Sequence, residues 1–233
     1  MRTKEQWAEV FAGAKHGHIL WDGREPDPCN PEHAYTSAHR FLDHAKYLGF
    51  FGPGNVVLDL GCGNGRFGIC FSEMDVSYTG IDPVRECVLF CRQAFAGYPH
   101  LRFLHADVQN EIFNPSGTIP PTEYRLPFPD SSVDDVICYS VFTHLQTLDV
   151  ARAYMAEIKR CLKVGGKFFC DVVPEPSRPE GERILRQDGV QRVGHPVHDD
   201  RLLLPVQLRR AHRRVLRPVG VVFDALRQLV CRS

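Results

Sequence analysis

VLDLGCGNGR, Val57 to Arg66, is the stretch on which the reading of this chain turns. The mostly apolar run Val57-Leu58-Asp59-Leu60 leads straight into Gly61, Gly63 and Gly65, spaced by one residue. Without a Cβ the backbone there turns tightly and lets a ligand come close. An apolar run, a glycine-rich turn and a helix-like stretch together read as strand, ligand-binding loop and helix.

Around this stretch, strand-like and helix-like segments alternate. The strand candidates are Val56-Leu60, Ser77-Ile81, Leu101-His105, Val133-Tyr139 and Lys167-Val173. Helical spacing falls near Phe67-Met74, Arg85-Ala96 and Leu148-Cys161, and two earlier helices are expected over residues 3–15 and Pro31-Leu48. Alternation of this kind predicts an α/β fold, a doubly wound and mainly parallel sheet with helices on both faces. Ligands of such sheets bind beyond the carboxyl ends of the strands. Val108 to Asp130, rich in Asn, Pro and Gly, interrupts the alternation and reads as a long connection over the binding cleft.

Bulk composition narrows the function. The chain has 233 residues, 28 basic and 28 acidic side chains, and 43% hydrophobic residues. The charge balance gives no electrostatic case for nucleic acid or an anionic membrane as partner. No apolar run is long enough to span a bilayer, and MRTKEQWAEV lacks a signal core, so a cytoplasmic location is expected. Nine cysteines, an odd number, lie partly inside apolar runs and read as reduced, buried thiols. After Val173 the composition changes. The last 60 residues hold 12 Arg, no Lys and one aromatic residue, Phe223. That segment reads as a basic arm, a poorly packed appendage or a stretch out of its reading frame. The expected organisation is an N-terminal helical segment over 1–50, a ligand-binding core over 51–173 and the Arg-rich segment over 174–233.

The glycines admit two readings. Gly63-Asn64-Gly65-Arg66-Phe67-Gly68 matches the dinucleotide fingerprint G-x-G-x-x-G. Asp59-Leu60-Gly61-Cys62-Gly63-Asn64-Gly65 matches D/E-x-G-x-G-x-G, and with it the chain resembles class I S-adenosylmethionine-dependent methyltransferases of the bacterial small-molecule type. Either cofactor wants an acid after the second strand, which Asp82 supplies. Asp59 beside the loop suits a sulfonium ligand with an amino group and would repel a pyrophosphate. The order of the later elements extends the resemblance from Gly54 to Val173. These are Ala106-Asp107 after the third strand, LPFPDSSVDDVICYSVFTHL, and Gly165-Gly166, read as ending the fifth helix and reversing the chain.

The resemblance implies roles. Gly61, Cys62, Gly63 and Gly65 pass under the methionine part of S-adenosylmethionine. Asp59 orients the loop and helps to hold the amino group. Asp82 grips the ribose, with Pro83 and Val84 against the adenine. Ala106, Asp107 and Val108 border its other side, and Ser140 and Val141 lie near the methyl group. It also implies two further strands after the fifth, the last antiparallel; Leu202-Val206 and Val219-Phe223 are the candidates. The expected activity is methyl transfer to a small molecule, such as a sugar or natural-product intermediate. The protein then mainly aligns the nucleophile and removes a proton, for which His144 is the expected base. Trp21, Tyr35 and Tyr124 are candidate substrate contacts. Cys138-Tyr139-Ser140-Val141 does not fit the motif of amino methylation of DNA. His16-Gly17-His18 and His195-Pro196-Val197-His198-Asp199 have no companion clusters, so no metal is expected. The rival readings are an NAD-dependent oxidoreductase and an inactive methyltransferase-like binding module.

Overall fold

The computed structural model describes residues 2–14, 31–145, 147–172 and 202–207. Two compact units divide the chain between Thr118 and Ile119.

The first unit opens with α1 (Lys4–Ala12), started by a capping box in which Thr3 and Gln6 satisfy each other's backbone N–H. Its apolar face buries Trp7 and Phe11 against Phe95 and Phe90. Next comes α2 (Pro31–Tyr47), whose Ala34, Ala38, Phe41, Leu42 and Ala45 are buried at helical spacing. The Phe41 ring lies 4.2 Å from that of Phe67, so α2 packs beside the glycine loop. Three strands follow, β1 (Asn55–Leu60), β2 (Val76–Asp82) and β3 (Leu101–His105), all parallel, with β2 in the middle. Val57 and Leu58 are both fully buried, which explains an apolar run without alternation: β1 is covered on both faces. Two helices connect the strands, α3 (Gly68–Phe71) and α4 (Arg85–Ala94), the second burying Cys87, Val88, Cys91 and Ala94.

The second unit holds β4 (Val133–Cys138), a short 3-10 turn (Phe142–His144), α5 (Leu148–Cys161), β5 (Leu162–Val172) and β6 (Leu202–Gln207). β5 runs parallel to β4 and antiparallel to β6. Thr147 caps α5 by accepting the Val150 N–H, an interaction generally worth ~1 kcal/mol. The α/β, mainly parallel and Rossmann-like expectation therefore holds, but the strand from Leu202, the first of the two candidates beyond β5, is itself antiparallel, where the antiparallel place is expected for the last. Val219-Phe223 lies outside the described residues.

Two local expectations are corrected. Regular α-helix covers only Gly68–Phe71 of the stretch 67–74. Before it the chain makes i→i+3 turns, such as Gly68 N–H to Gly65 C=O, and after it the Ser72 hydroxyl turns back to the Ile69 carbonyl. Gly165-Gly166 does not end α5. The helix stops at Cys161, and Leu162 already pairs with Val133, while the next matched pair is Lys167 with Asp135. The glycines therefore form an irregularity inside β5. A Cβ on Gly166 would sit 3.0 Å from the Asp134 carbonyl, so this close approach needs glycine.

Candidate functional site

Gly61, Gly63 and Gly65 all have positive φ, at 78°, 52° and 74°. This explains the spacing in residues: each alternate position is left-handed, where a Cβ costs roughly 1–2 kcal/mol. The three are not equivalent in space. A Cβ on Gly65 would meet Cys91 Sγ at 2.9 Å and Phe95 at 3.1 Å, whereas one on Gly63 meets nothing within 4 Å. Gly65 packs against α4 and β3, and Gly63 leaves one side of the loop open.

Asp82, at the end of β2, closes the loop. Its Oδ2 accepts the Gly63 N–H at 2.7 Å and its Oδ1 accepts the Val84 N–H at 2.8 Å. Burial pushes its carboxyl up to about 6, with both N–H donors pulling the other way. Each oxygen keeps acceptor capacity after one bond, so the carboxylate can take two neighbouring hydroxyl groups. The Ala106 N–H donates to the Asp82 carbonyl, and the His105 ring bonds the Pro83 carbonyl, joining the ends of β2 and β3. The structure thus brings together Gly61, Gly63, Asp82, Pro83, Val84 and Ala106.

Asp59 faces inward. Tyr78 donates its hydroxyl to Asp59 Oδ2 at 2.6 Å, and both side chains are buried. Burial raises the Asp59 carboxyl to about 7; the Tyr78 bond and the Arg66 charge oppose it. Cys62 turns behind the loop. Its thiol lies where a Cβ on Gly80 would be, 2.8 Å away, and a hydrogen bond with Cys91, then burial, raise its pKa. The Cys62 side chain is therefore turned away toward Gly80 and Cys91, leaving only its backbone in the loop. Asp107 is engaged within its own loop, accepting from Thr118 Oγ1 at 2.5 Å and Asn114 Nδ2 at 3.3 Å, and these bonds hold its carboxyl below the usual range. Asn114 also donates to the carbonyl of buried Val108.

In the second unit β4 ends at Cys138, and Ser140 beyond it is buried with φ 60°. A left-handed, buried serine costs of order 1–3 kcal/mol, a strain that concentrates at functional sites. Val141 starts the 3-10 turn that carries His144, whose N–H donates to the Val141 carbonyl. Tyr124 belongs to this unit too, and burial raises its phenol to about 12. Tyr35 lies in the first unit, on α2, stacked 4.0 Å from His39. Trp21 and both histidine pairs lie outside the described residues. Among the described residues no group of His, Cys, Asp or Glu could hold a metal ion, no helix is long and apolar enough to cross a membrane, and seven cysteines are buried and free.

Sequence reasoning assigns no role to Tyr78, Asn114 or Thr118, and it considers Cys91 only as a metal ligand and rejects it. For Tyr78 a signal existed: Tyr78, Gly80 and Asp82 alternate along one strand and share a face.

A methyltransferase-domain family model matches residues 58–170. An uncharacterized methyltransferase of Schizosaccharomyces pombe is 31% identical over 116 residues, 49% of this chain and 38% of that protein. The chain therefore spans well under half the length of this curated relative. Among solved structures, a SAM-dependent methyltransferase from Aquifex aeolicus is 16% identical with a TM-score of 0.48, covering 88% of this chain and 99% of that one. Geranyl diphosphate C-methyltransferase from Streptomyces coelicolor, in a complex containing S-adenosyl-L-homocysteine, is 17% identical with a TM-score of 0.46, covering 76% and 60%.

Proposed function

We propose, from the premise that residues 58–170 belong to the class I S-adenosylmethionine-dependent methyltransferase family, that the chain methylates a small-molecule acceptor. The observation that carries this reading is the Asp82 bracket. One carboxylate holds the glycine loop and the β2–α4 turn and still has acceptor capacity for a diol. The open side of Gly63 supports it, since a ligand can lie against that backbone. When bound, the cofactor supplies a methyl group already activated by a sulfonium.

The chain's own residues then bind and orient. Asp82 holds the ribose hydroxyls, and Pro83, Val84, Ala106 and Val108 offer an apolar surface to the adenine. Asp107 accepts from the adenine amino group with the capacity left by Thr118 and Asn114. Gly61, Cys62, Gly63 and Gly65 present backbone to the methionine part. Ser140 and Val141 border the transfer site, and His144 takes the proton of the acceptor. Tyr35, Tyr124 and Trp21 are proposed acceptor contacts. The equal numbers of acidic and basic side chains favour a small acceptor over nucleic acid. Buried free thiols favour a reducing, cytoplasmic setting.

Thermal melts of the chain with S-adenosylhomocysteine and, in parallel, NADH test the reading. Saturation at 100 times the dissociation constant stabilises by about 2.7 kcal/mol. A shift with S-adenosylhomocysteine alone is expected, followed by transfer of labelled methyl to small acceptors and not to DNA or RNA. A shift with NADH alone refutes the cofactor, and labelled nucleic acid refutes the acceptor class.

A further inference from the structure

Asp59 and Tyr78 form a pair that the reaction as described leaves unexplained. They lie on adjacent parallel strands, where Val57 is matched to Tyr78 and Asp59 to Gly80, so the tyrosine sits one step behind the acid on the same face. Gly80 brings no side chain of its own between them, and the Cys62 thiol and the Phe103 ring fill the place its Cβ would take. The Tyr78 ring is locked: it is fully buried, stacked 4.9 Å from Phe71 and edge-on to Phe103 at 5.7 Å. Its hydroxyl takes Oδ2 of Asp59, and among the described residues Oδ1 has no hydrogen-bond partner. Asp59 is two residues before Gly61, at the base of the loop.

We propose that Tyr78 is a positioning residue for the charged amino-acid end of the cofactor, its hydroxyl holding Asp59 so that Oδ1 is kept as the acceptor for an ammonium group, directly or through one water. The inference rests on the methyltransferase reading above and adds a residue to it. A carboxylate without a second donor, in a buried place, has a strong preference for an incoming cation. The charges and titratable groups that bear on Asp59 are Tyr78 and Asp82 from β2, Arg66 after the loop, and the Cys62 thiol, with Cys91 acting on Cys62 and Tyr78. Tyr78 and Arg66 favour the carboxylate and Asp82 opposes it. Removing the hydroxyl therefore moves the titration of Asp59 to higher pH, and ammonium binding moves with it.

Calorimetric titration of the full chain with S-adenosylhomocysteine and with adenosine, between pH 6.5 and 8.5, tests this in the wild type, Tyr78→Phe, Asp59→Asn and the double variant. Adenosine lacks the amino-acid end. Tyr78→Phe is expected to weaken S-adenosylhomocysteine roughly tenfold at pH 7, the loss of one hydrogen bond to a charged group. The gap narrows at pH 8.5, adenosine binds both proteins alike, and the double variant is no worse than Asp59→Asn. An equal loss for both ligands, unchanged by pH, makes Tyr78 a structural residue and overturns the proposal. Wild type that binds adenosine and S-adenosylhomocysteine with equal affinity overturns it too, while leaving the cofactor reading intact. Wild type that binds neither ligand overturns both.

Discussion

The backbone N–H of Gly63 donates to Oδ2 of Asp82 at 2.7 Å, across 19 positions of the chain. The bond ties the glycine loop after β1 to the end of β2, so loop shape and local charge depend on one side chain. Asp82→Asn keeps the shape but replaces one acceptor with a donor that faces an N–H. The expected cost is about 1–3 kcal/mol of stability, read by urea denaturation, with at least tenfold weaker S-adenosylhomocysteine binding. Unchanged binding in a folded variant removes Asp82 from the site.

Gly65 and Gly63 separate packing from ligand access. Gly65→Ala adds a Cβ 2.9 Å from Cys91 Sγ at φ +74°, so overpacking and left-handed strain combine to roughly 2–5 kcal/mol. Gly63→Ala meets open space and costs only the strain, roughly 1–2 kcal/mol, yet is expected to lose most cofactor affinity. Thermal melts of the two variants with and without S-adenosylhomocysteine check the contrast. The reverse order of stabilities contradicts the assigned packing.

The buried acids set a pH dependence. Asp59 and Asp82 are both raised above their ordinary 3.8, to about 7 and about 6. A raised carboxyl contributes stability that is fully present below its ordinary value and lost as pH rises through its folded value. Stability is therefore expected to fall between pH 4 and 7, by up to about 1.4 kcal/mol per pH unit for each group. Asp59→Asn retains an acceptor for Tyr78 and flattens that slope. Denaturation at pH 5 and pH 7 measures it, and equal slopes in the two proteins count against a buried titrating Asp59.

Arg160 uses all five of its donors. They reach Glu157 twice, Asp130, and the carbonyls of Leu126 and Phe128, holding the segment before β4 against α5. Lysine carries three donors on a flexible stem and cannot reproduce this fork. Arg160→Lys is expected to cost about 1–3 kcal/mol, with faster proteolysis near Leu126–Asp130. Wild-type stability and cleavage in the variant would show that the network is superficial.

His144→Ala tests the proposed base. A loss in kcat of about 100-fold or more, with S-adenosylhomocysteine affinity unchanged, is the expected split. An unchanged kcat leaves alignment alone as the protein's contribution.

Local pattern alone was enough to read β1 to β4, the helices α1, α2, α4 and α5, and the glycine loop, because strand and helix periodicities and left-handed glycine positions are properties of neighbouring residues. Asp82 was legible too, since an acid after the second strand follows from chain order. The start of β5 was not: Leu162 becomes strand by pairing with Val133, and nothing within the helix announces that partner. Nor were the sides on which Asp59, Cys62 and Asp107 spend their polar atoms. Asp59 finds Tyr78 and Cys62 finds Cys91 only once parallel register sets residues far apart in sequence on one face. Asp107 finds Thr118 only when its loop closes. The sequence by itself determined that a glycine-rich loop follows β1 and which acids stand near it. The tertiary structure decided which of their oxygens are already bonded and which remain for a ligand, because a hydrogen bond depends on ångström-scale distances that strand pairing, not sequence spacing, establishes.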